Sequence, residues 1–186
     1  GVVDAQSITL GQNLHFGQGL GVINMKGGVL RAKTIIMGQQ ADEWGATNTA
    51  IVNLSGGVLQ AASIAKGDSE ASIRRLNWSG GIIGNYPGKR SIVKADVDIE
   101  VVGAAAHTFD VEARRTLTVD ASIRGAPTGA VGRLLKTGDG LLLLNAVNLF
   151  AGETVVKAGT LGGKGRIGGD LIVDKDATVS PGNASE

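Results

Sequence analysis

Acidic side chains alternate with apolar ones in the middle of the chain and could carry chemistry. Asp96, Asp98 and Glu100 occupy alternate positions, and Arg114 and Arg115 follow nearby. Stacked carboxylates beside cations could bind calcium and remove a proton from an acidic sugar. The same pattern is typical of a half-buried strand with a solvated outer face, and the sequence lacks the carbonyl-rich loop of an ordinary calcium site. We therefore expect solvated surface acids, with sugar chemistry as the alternative.

A second candidate is the sequence Gly67-Asp68-Ser69, which resembles the nucleophile motif of trypsin-like serine proteases. Such catalysis also needs a histidine and an aspartate held in geometry, together with an oxyanion hole. The chain contains only His15 and His107, and no glycine follows Ser69 directly. We therefore expect a turn at Ser69 rather than a protease. Two isolated histidines also predict no metal centre, and we expect no cofactor.

Composition and charge exclude several other classes. The 186 residues include 30 glycines, no cysteine and 42% hydrophobic residues, which excludes a disulfide scaffold, a cysteine-based zinc site and a disordered chain. The net charge is +1, and the densest basic cluster is only Lys89-Arg90. Proteins that bind a phosphate backbone usually carry a basic stripe. We therefore expect no nucleic-acid partner.

An internal repeat indicates the elements that must position these residues. The segment 23–32 recurs as 52–61 and in part as 76–83. Each copy carries the pattern Asn-x-x-Gly-Gly, at Asn24, Gly27 and Gly28, at Asn53, Gly56 and Gly57, and at Asn77, Gly80 and Gly81. Short strands at such a period, without a helical stripe, predict a β-solenoid. A β-sandwich is the competing all-β fold, but it would not explain the repeated unit.

The solenoid makes two local predictions. The three repeat asparagines would stack on successive coils and hydrogen-bond along the axis as a ladder. Adjacent apolar pairs such as Val29-Leu30 and Val58-Leu59 would supply the interior. Because successive side chains of a strand point to opposite faces, one member of each pair can face outward.

Residues 134–161 carry a further pattern, which resembles the passenger-associated transport repeat of bacterial autotransporters. Phe150 stands where that family has tyrosine, and Glu153 stands where it usually has glycine. The segment that follows, 165–183, resembles the stretch that commonly comes next in such proteins. The positions that match the family pattern are Lys136, Gly138, Gly140, Leu142, Leu144, Asn148, Gly152, Thr154, Val156, Gly159, Thr160 and Leu161.

The resemblance implies a right-handed, single-stranded parallel β-helix in a secreted or surface-displayed passenger. It implies export through a C-terminal outer-membrane β-barrel, and a motif that concerns folding and transport rather than catalysis. We thus expect residues 1–186 to be one continuous β-helix segment of a longer passenger. Its parts are Asn-x-x-Gly-Gly coils over 1–85, short alternating coils over 86–133, the family repeat over 134–161 and a truncated coil over 162–186.

The expected function is a non-catalytic stalk or adhesive scaffold, outside the cell or on the bacterial surface. Its expected partners are the rest of its passenger and the β-barrel, with a host-cell or carbohydrate ligand and end-to-end self-association as further candidates. Two alternatives stay open. One is a polysaccharide lyase or hydrolase on the same fold, and the other is a self-associating extracellular matrix or filament module.

Overall fold

The computed structural model describes residues 1–12, 18–39, 47–69, 72–125 and 132–182. These residues form strands and no helix, so none of them forms a helix that could cross a membrane. The predicted all-β class is confirmed. The strands are β1 Val2–Leu10, β2 Leu20–Met37, β3 Thr49–Lys66, β4 Ile73–Trp78, β5 Ile82–Asn85, β6 Ser91–Val93, β7 Asp98–Val101, β8 Ala106–Asp110, β9 Thr116–Val119, β10 Ile123–Gly125, β11 Arg133–Thr137, β12 Leu141–Leu144, β13 Thr154–Val156, β14 Gly159–Gly163, β15 Leu171–Val173 and β16 Ala177–Pro181.

All of these strands join one sheet, and every pairing between them is parallel. Parallel neighbours that come from successive passes of one chain are coils stacked along an axis, about 4.8 Å apart. The predicted β-solenoid is therefore confirmed, while its right-handed sense stays a prediction. One register column runs through Val2, Val29, Val58, Ile82, Thr108, Leu135, Val155 and Ile172.

The neighbouring column points into the solenoid. Leu30 and Leu59 are 8% and 0% exposed, whereas Val29 and Val58 beside them are only half-buried. Only one member of each adjacent apolar pair therefore faces the core, as the period of a strand requires. The inward column contains Val3, Leu30, Leu59, Ile83, Phe109, Lys136, Val156 and Val173.

The repeated Gly-Gly pair marks a bend that every early coil makes at the same point. The second glycines, Gly28, Gly57 and Gly81, have φ values of +75°, +82° and +82°, a region that side chains with a Cβ rarely adopt. At Gly56 an added Cβ would lie 2.6 Å from the carbonyl oxygen of Lys26 in the coil below. The second glycine thus permits the positive φ and also close stacking, since an added Cβ at Gly57 would lie 2.5 Å from the carbonyl oxygen of Gly28.

A second corner, here called the loop corner, changes along the stack. Strands β1, β2 and β3 pass through it without a break, since each continues to its end at Leu10, Met37 or Lys66. In the next two coils the strands are separated by loops 86–90 and 111–115. Later coils use the shorter connections 138–140, 157–158 and 174–176. The loop corner therefore carries its longest connections in the middle of the stack.

The two ends of the described stack leave apolar side chains in contact with solvent. Val2 and Val3 of β1 are both 58% exposed, and Leu171 and Val173 of β15 are 41% and 42% exposed. Strand alternation predicts Leu171 and Val173 as interior residues, and they do lie in register with the inward residues Thr154 and Val156, but their exposure contradicts full burial. Their strand pairs with β13 on one side only, so no further coil of the described chain covers them.

Candidate functional surface: the outward rows of the solenoid

The repeat asparagines form the ladder that the sequence predicts. Asn53 donates from Nδ2 to Oδ1 of Asn24 at 2.7 Å, and Asn77 donates in the same way to Asn53 at 2.7 Å. Asn24 is exposed, while Asn53 and Asn77 are half-buried. The ladder therefore lies on the outer surface and links three successive coils along the axis of the solenoid. It does not lie inside a turn.

The predicted surface acids continue this row. Glu100 stacks on Asn77, and Arg124 stacks on Glu100. Arg124 forms an ion pair with Asp98 at 3.3 Å, and Arg75 forms one with Glu100 at 3.7 Å. Each carboxylate thus faces a guanidinium of a neighbouring coil. Because these pairs are exposed, each adds less than about 1 kcal/mol of stability, but they neutralise the acids.

Asp96 does not join the other two acids. It lies in the turn before β7, and it is exposed. Our interpretation that all three carboxylates alternate along one strand was therefore wrong for Asp96. Across the described ranges, no group of three or more acidic, histidine or cysteine side chains could hold a metal ion. The expectation of solvated acids fits this arrangement better than a calcium site does.

A second polar row follows the solenoid on the neighbouring side. Arg31 pairs with Asp4 at 3.7 Å and donates to Oε1 of Gln60 at 2.9 Å. Farther along the same row, Thr137 donates to Asp110 at 2.7 Å. Lys157 then pairs with Asp174 at 3.1 Å. The outward polar groups of successive coils therefore bind each other along the axis, as the asparagines do.

The glycines of the family-like repeat lie where coils touch. An added Cβ at Gly138, which has φ +71°, would lie 2.2 Å from the carbonyl oxygen of Val111. An added Cβ at Gly140 would lie 2.1 Å from the carbonyl oxygen of Glu112, and one at Gly159 would lie 2.5 Å from that of Gly138. An added Cβ at Gly152 would lie 1.9 Å from the carbonyl oxygen of Gly132. These glycines serve stacking at the corners.

Lys136 is the unexpected member of the repeat, because it is 1% exposed and belongs to the inward column. Its Nζ donates to the carbonyl oxygens of Thr137 at 2.8 Å, Gly138 at 2.6 Å and Ala158 at 3.1 Å. The ammonium thus joins the corner of its own coil to that of the next. Burial lowers the pKa of Lys136 to about 8, although the charges of Asp110 and Asp139 oppose the shift.

The remaining motif residues serve packing. Leu142, Leu144 and Leu161 are 2% to 4% exposed and belong to the core. Asn148 is buried, and its Oδ1 accepts from the backbone nitrogen of Ile123 at 3.0 Å. Thr154 is buried on β13, next to Val156 on the same inward side, while Thr160 is half-buried on β14. None of these contacts resembles a catalytic arrangement.

Ser69 and His107 do not form a nucleophile pair in the described structure. Ser69 is fully buried, and its backbone bonds to Gly38 and Arg74. His107 packs edge-on against Trp78, with ring centroids 5.2 Å apart, and Trp78 packs against Phe109 at 4.9 Å. Burial lowers the pKa of His107, and nearby backbone groups such as that of Trp78 oppose the shift; neither ring nitrogen has a hydrogen-bond partner among the described residues. His15 lies outside the described residues.

The loop corner brings together cations that sequence reasoning treated separately. Lys89 and Arg90 end the loop 86–90, and Arg114 and Arg115 end the loop 111–115. The strands that bracket these loops stack directly, since Gly84 pairs with Asp110 and Ser91 pairs with Leu117. The signal in the sequence was the spacing of the two dibasic pairs, which lie 25 residues apart, close to one coil.

Comparison with known proteins adds no relative to this picture. No protein-family model, curated protein or solved structure matches the chain. The likeness to the passenger-associated repeat therefore depends on the residues of the chain alone.

Proposed function

We propose that the chain is a non-catalytic, structural or adhesive segment of a secreted or surface-displayed bacterial passenger of the autotransporter type. One observation carries the proposal. The outward polar side chains bind one another along the stack, in the asparagine ladder and in the Asp4–Arg31–Gln60 row. Such rows stiffen a rod and present a regular flank, whereas an enzyme gathers reactive groups in a cleft.

In this proposal the family-like repeat has a folding role. Lys136 joins two successive corners through three carbonyl oxygens, so a coil gains this contact only after the next coil has stacked on it. The partners are the rest of the passenger and a C-terminal outer-membrane β-barrel, and the place of the chain is outside the cell or on its surface.

The direct test is the location of the protein. Antibodies raised against the purified chain should label intact cells of the organism that produces it, or detect the protein in the culture medium. Labelling that needs permeabilised cells, with the protein confined to the cytoplasm, would contradict the proposal. An antibody against a cytoplasmic enzyme serves as the control for intact envelopes.

The enzymatic alternative has a test of its own. A polysaccharide lyase or hydrolase would need acids free to exchange protons, whereas Asp98 and Glu100 face arginines. Incubation with pectin and alginate should give no new reducing ends and no unsaturated uronate. Turnover that disappears in Asp98→Asn but not in Asp176→Asn would overturn the structural role.

Self-association is a second candidate, favoured by the exposed ends. Val2, Val3 and the residues of β15 are each at least 41% exposed, and both end strands leave one backbone edge unpaired in the described stack. Unpaired edges are templates for further strands. Light scattering over a tenfold concentration range should show mass that increases with concentration. A constant monomer mass would remove this candidate and leave the structural role untouched.

A further inference from the structure

We propose that loops 86–90 and 111–115 form one binding site for an anionic oligosaccharide that bears sulfate or carboxylate groups. The site, here called the basic corner, consists of Lys89, Arg90, Arg114 and Arg115. It builds on the proposed surface role, because such sugars lie outside cells.

The first argument is the local concentration of charge. The whole chain has a net charge of only +1. The two loops together contain four cations and one acid, Glu112, and so carry a net charge of +3. Lys89, Arg90 and Arg114 are exposed, and Arg115 is half-buried. The loops belong to adjacent coils, about 4.8 Å apart, so the four cations can address a single ligand.

The second argument is that the loops are held together before any ligand arrives. Glu112 accepts through Oε2 from the backbone nitrogen of Gly88 at 2.9 Å and from Nδ2 of Asn85 at 3.2 Å. Oδ1 of Asn85 accepts in return from the backbone nitrogen of Glu112 at 2.8 Å. A ligand therefore meets an ordered pair of loops, and a preorganised site loses less entropy when it binds.

The third argument is the backbone of Arg114. Its φ is +59°, and no other non-glycine residue of the described ranges has a positive φ. Glycine or asparagine would fit that conformation with less strain, and strain of this kind concentrates at functional sites. This turn carries Arg114 and Arg115, and its loop stacks on the loop that carries Lys89 and Arg90.

The size of the basic corner selects the class of ligand. Guanidinium groups bind planar or tetrahedral oxyanions through paired hydrogen bonds. Nucleic-acid binding depends on neutralising many phosphates along a stripe, whereas these cations occupy two coils only. The turn of the next coil presents an acid, Asp139, which limits the basic surface on that side. A short sugar with separate anionic groups fits such a patch.

The experiment measures binding of the full chain by calorimetry at low salt to four probes. These are a heparin-derived sulfated hexasaccharide, a polygalacturonate hexasaccharide, an uncharged cello-hexaose and a single-stranded DNA 12-mer. We expect the sulfated or the uronate probe to bind, and which of them binds names the anion. We expect the uncharged probe not to bind, and added salt to weaken the complex. Failure of both anionic sugars, or equal or tighter binding of DNA, would overturn the proposal.

Variants locate the site on the protein. Arg114→Gln with Arg115→Gln should weaken sugar binding about tenfold or more, since each lost group removes a charge-assisted hydrogen bond. The matched control removes two exposed cations away from the loop corner, Lys26→Gln with Lys164→Gln, and should change binding less than about twofold. Equal weakening by both pairs would mean general charge attraction and would contradict a site at this corner.

Arg114→Gly separates binding from folding. Glycine tolerates the positive φ, so the melting temperature should stay the same or rise while sugar binding weakens. Unchanged sugar binding in this variant and in the double variant would sink the inference. An intact, surface-exposed solenoid that binds no sugar would remove the basic corner alone, whereas a cytoplasmic protein would remove the proposed function.

Discussion

The first three coils and the coils after residue 72 solve the same packing problem in different ways. Strands β2 and β3 are each 18 residues long, pass through the loop corner unbroken and fill the inward column with Leu30 and Leu59. The later strands are three to six residues long. The same column then holds Phe109 and Lys136.

The difference teaches that the inward column of a solenoid tolerates a charged group where that group finds partners at a corner, as Lys136 does. Regular early coils need only small and branched apolar residues. The shorter connections of the later coils bring carbonyl groups close to the core, where Lys136 can bind them. A buried polar group without such partners would cost several kcal/mol.

The largest effect should come from the aromatic junction within the later coils, where β4 and β8 meet. Trp78 is fully buried and contacts the rings of His107 and Phe109. We expect Trp78→Ala to lower the free energy of unfolding by about 4 kcal/mol. Leu54→Ala, one coil earlier in the same register column, should cost about 3 kcal/mol. Urea unfolding followed by circular dichroism measures both losses. A smaller loss of unfolding free energy for the tryptophan variant than for the leucine variant would contradict a stabilising role of the aromatic junction.

The next effect concerns the buried ammonium. Lys136→Met keeps the apolar stem but removes the ammonium hydrogen bonds to the carbonyl oxygens of Thr137, Gly138 and Ala158. We expect a loss of about 2 kcal/mol in the free energy of unfolding. Lys157→Met, which breaks the exposed pair with Asp174, should cost less than about 1 kcal/mol. Equal losses would show that the buried Lys136 contributes no more to the free energy of unfolding than an exposed lysine does.

The pKa of Lys136 gives the same variant a dependence on pH. Burial lowers its folded pKa to about 8, below the ordinary unfolded value near 10.4. Between these values the unfolded chain holds the extra proton, so the wild type gains stability as pH rises from about 8 to about 10. Lys136→Met lacks this gain, and the gap between the two proteins should widen over that range. A constant gap would contradict the lowered pKa.

A further pH effect, of the same direction but at lower pH, belongs to His107. Burial lowers its pKa, so the unfolded chain binds a proton first as the pH falls below about 6.5. The wild type should therefore lose stability between about pH 7 and pH 5 relative to His107→Leu, which has no proton to bind there. Thermal melts across this range, at matched ionic strength, make the comparison. Parallel curves for the two proteins would show that His107 does not titrate with unfolding.

The smallest effect should come from the asparagine ladder of the regular coils. Asn53 makes two ladder bonds, and Asn24 makes one. We expect Asn53→Ala to cost about 1 kcal/mol and Asn24→Ala about half of that, because exposed hydrogen bonds are worth little in net terms. Chemical denaturation resolves the two values. A larger cost for Asn24 would reverse the order that the ladder requires.

The regular coils could be predicted from the sequence, because equal spacing makes a pattern visible. Asn24, Asn53 and Asn77 revealed both the solenoid and the ladder, and the Gly-Gly pairs revealed the bends. The burial of Lys136 could not be predicted. Lysine is ordinarily exposed, and only the stacked position of the Ala158 carbonyl explains why this one is inside.

The aromatic junction and the pairing of the acids escaped prediction for a related reason. Trp78, His107 and Phe109 meet across coils that share no repeated motif, so no spacing rule relates them. Likewise, Arg124 meets Asp98 only because β10 stacks on β7. Alternation shows which side chains face outward, but it does not show which cation lies on the next coil.

The central claim is that successive repeats stack directly, coil on coil, and cysteine cross-linking tests it most directly. The natural chain has no cysteine, so only introduced pairs can react. Asn53→Cys with Asn77→Cys places two thiols on adjacent coils, within the range that a disulfide spans. Asn24→Cys with Asn77→Cys places them two coils apart, about 9.6 Å by the spacing of parallel strands. We predict rapid intramolecular oxidation for the first pair and none for the second, measured by mass spectrometry after thiol labelling. Oxidation of the second pair in preference to the first would contradict the stacked solenoid.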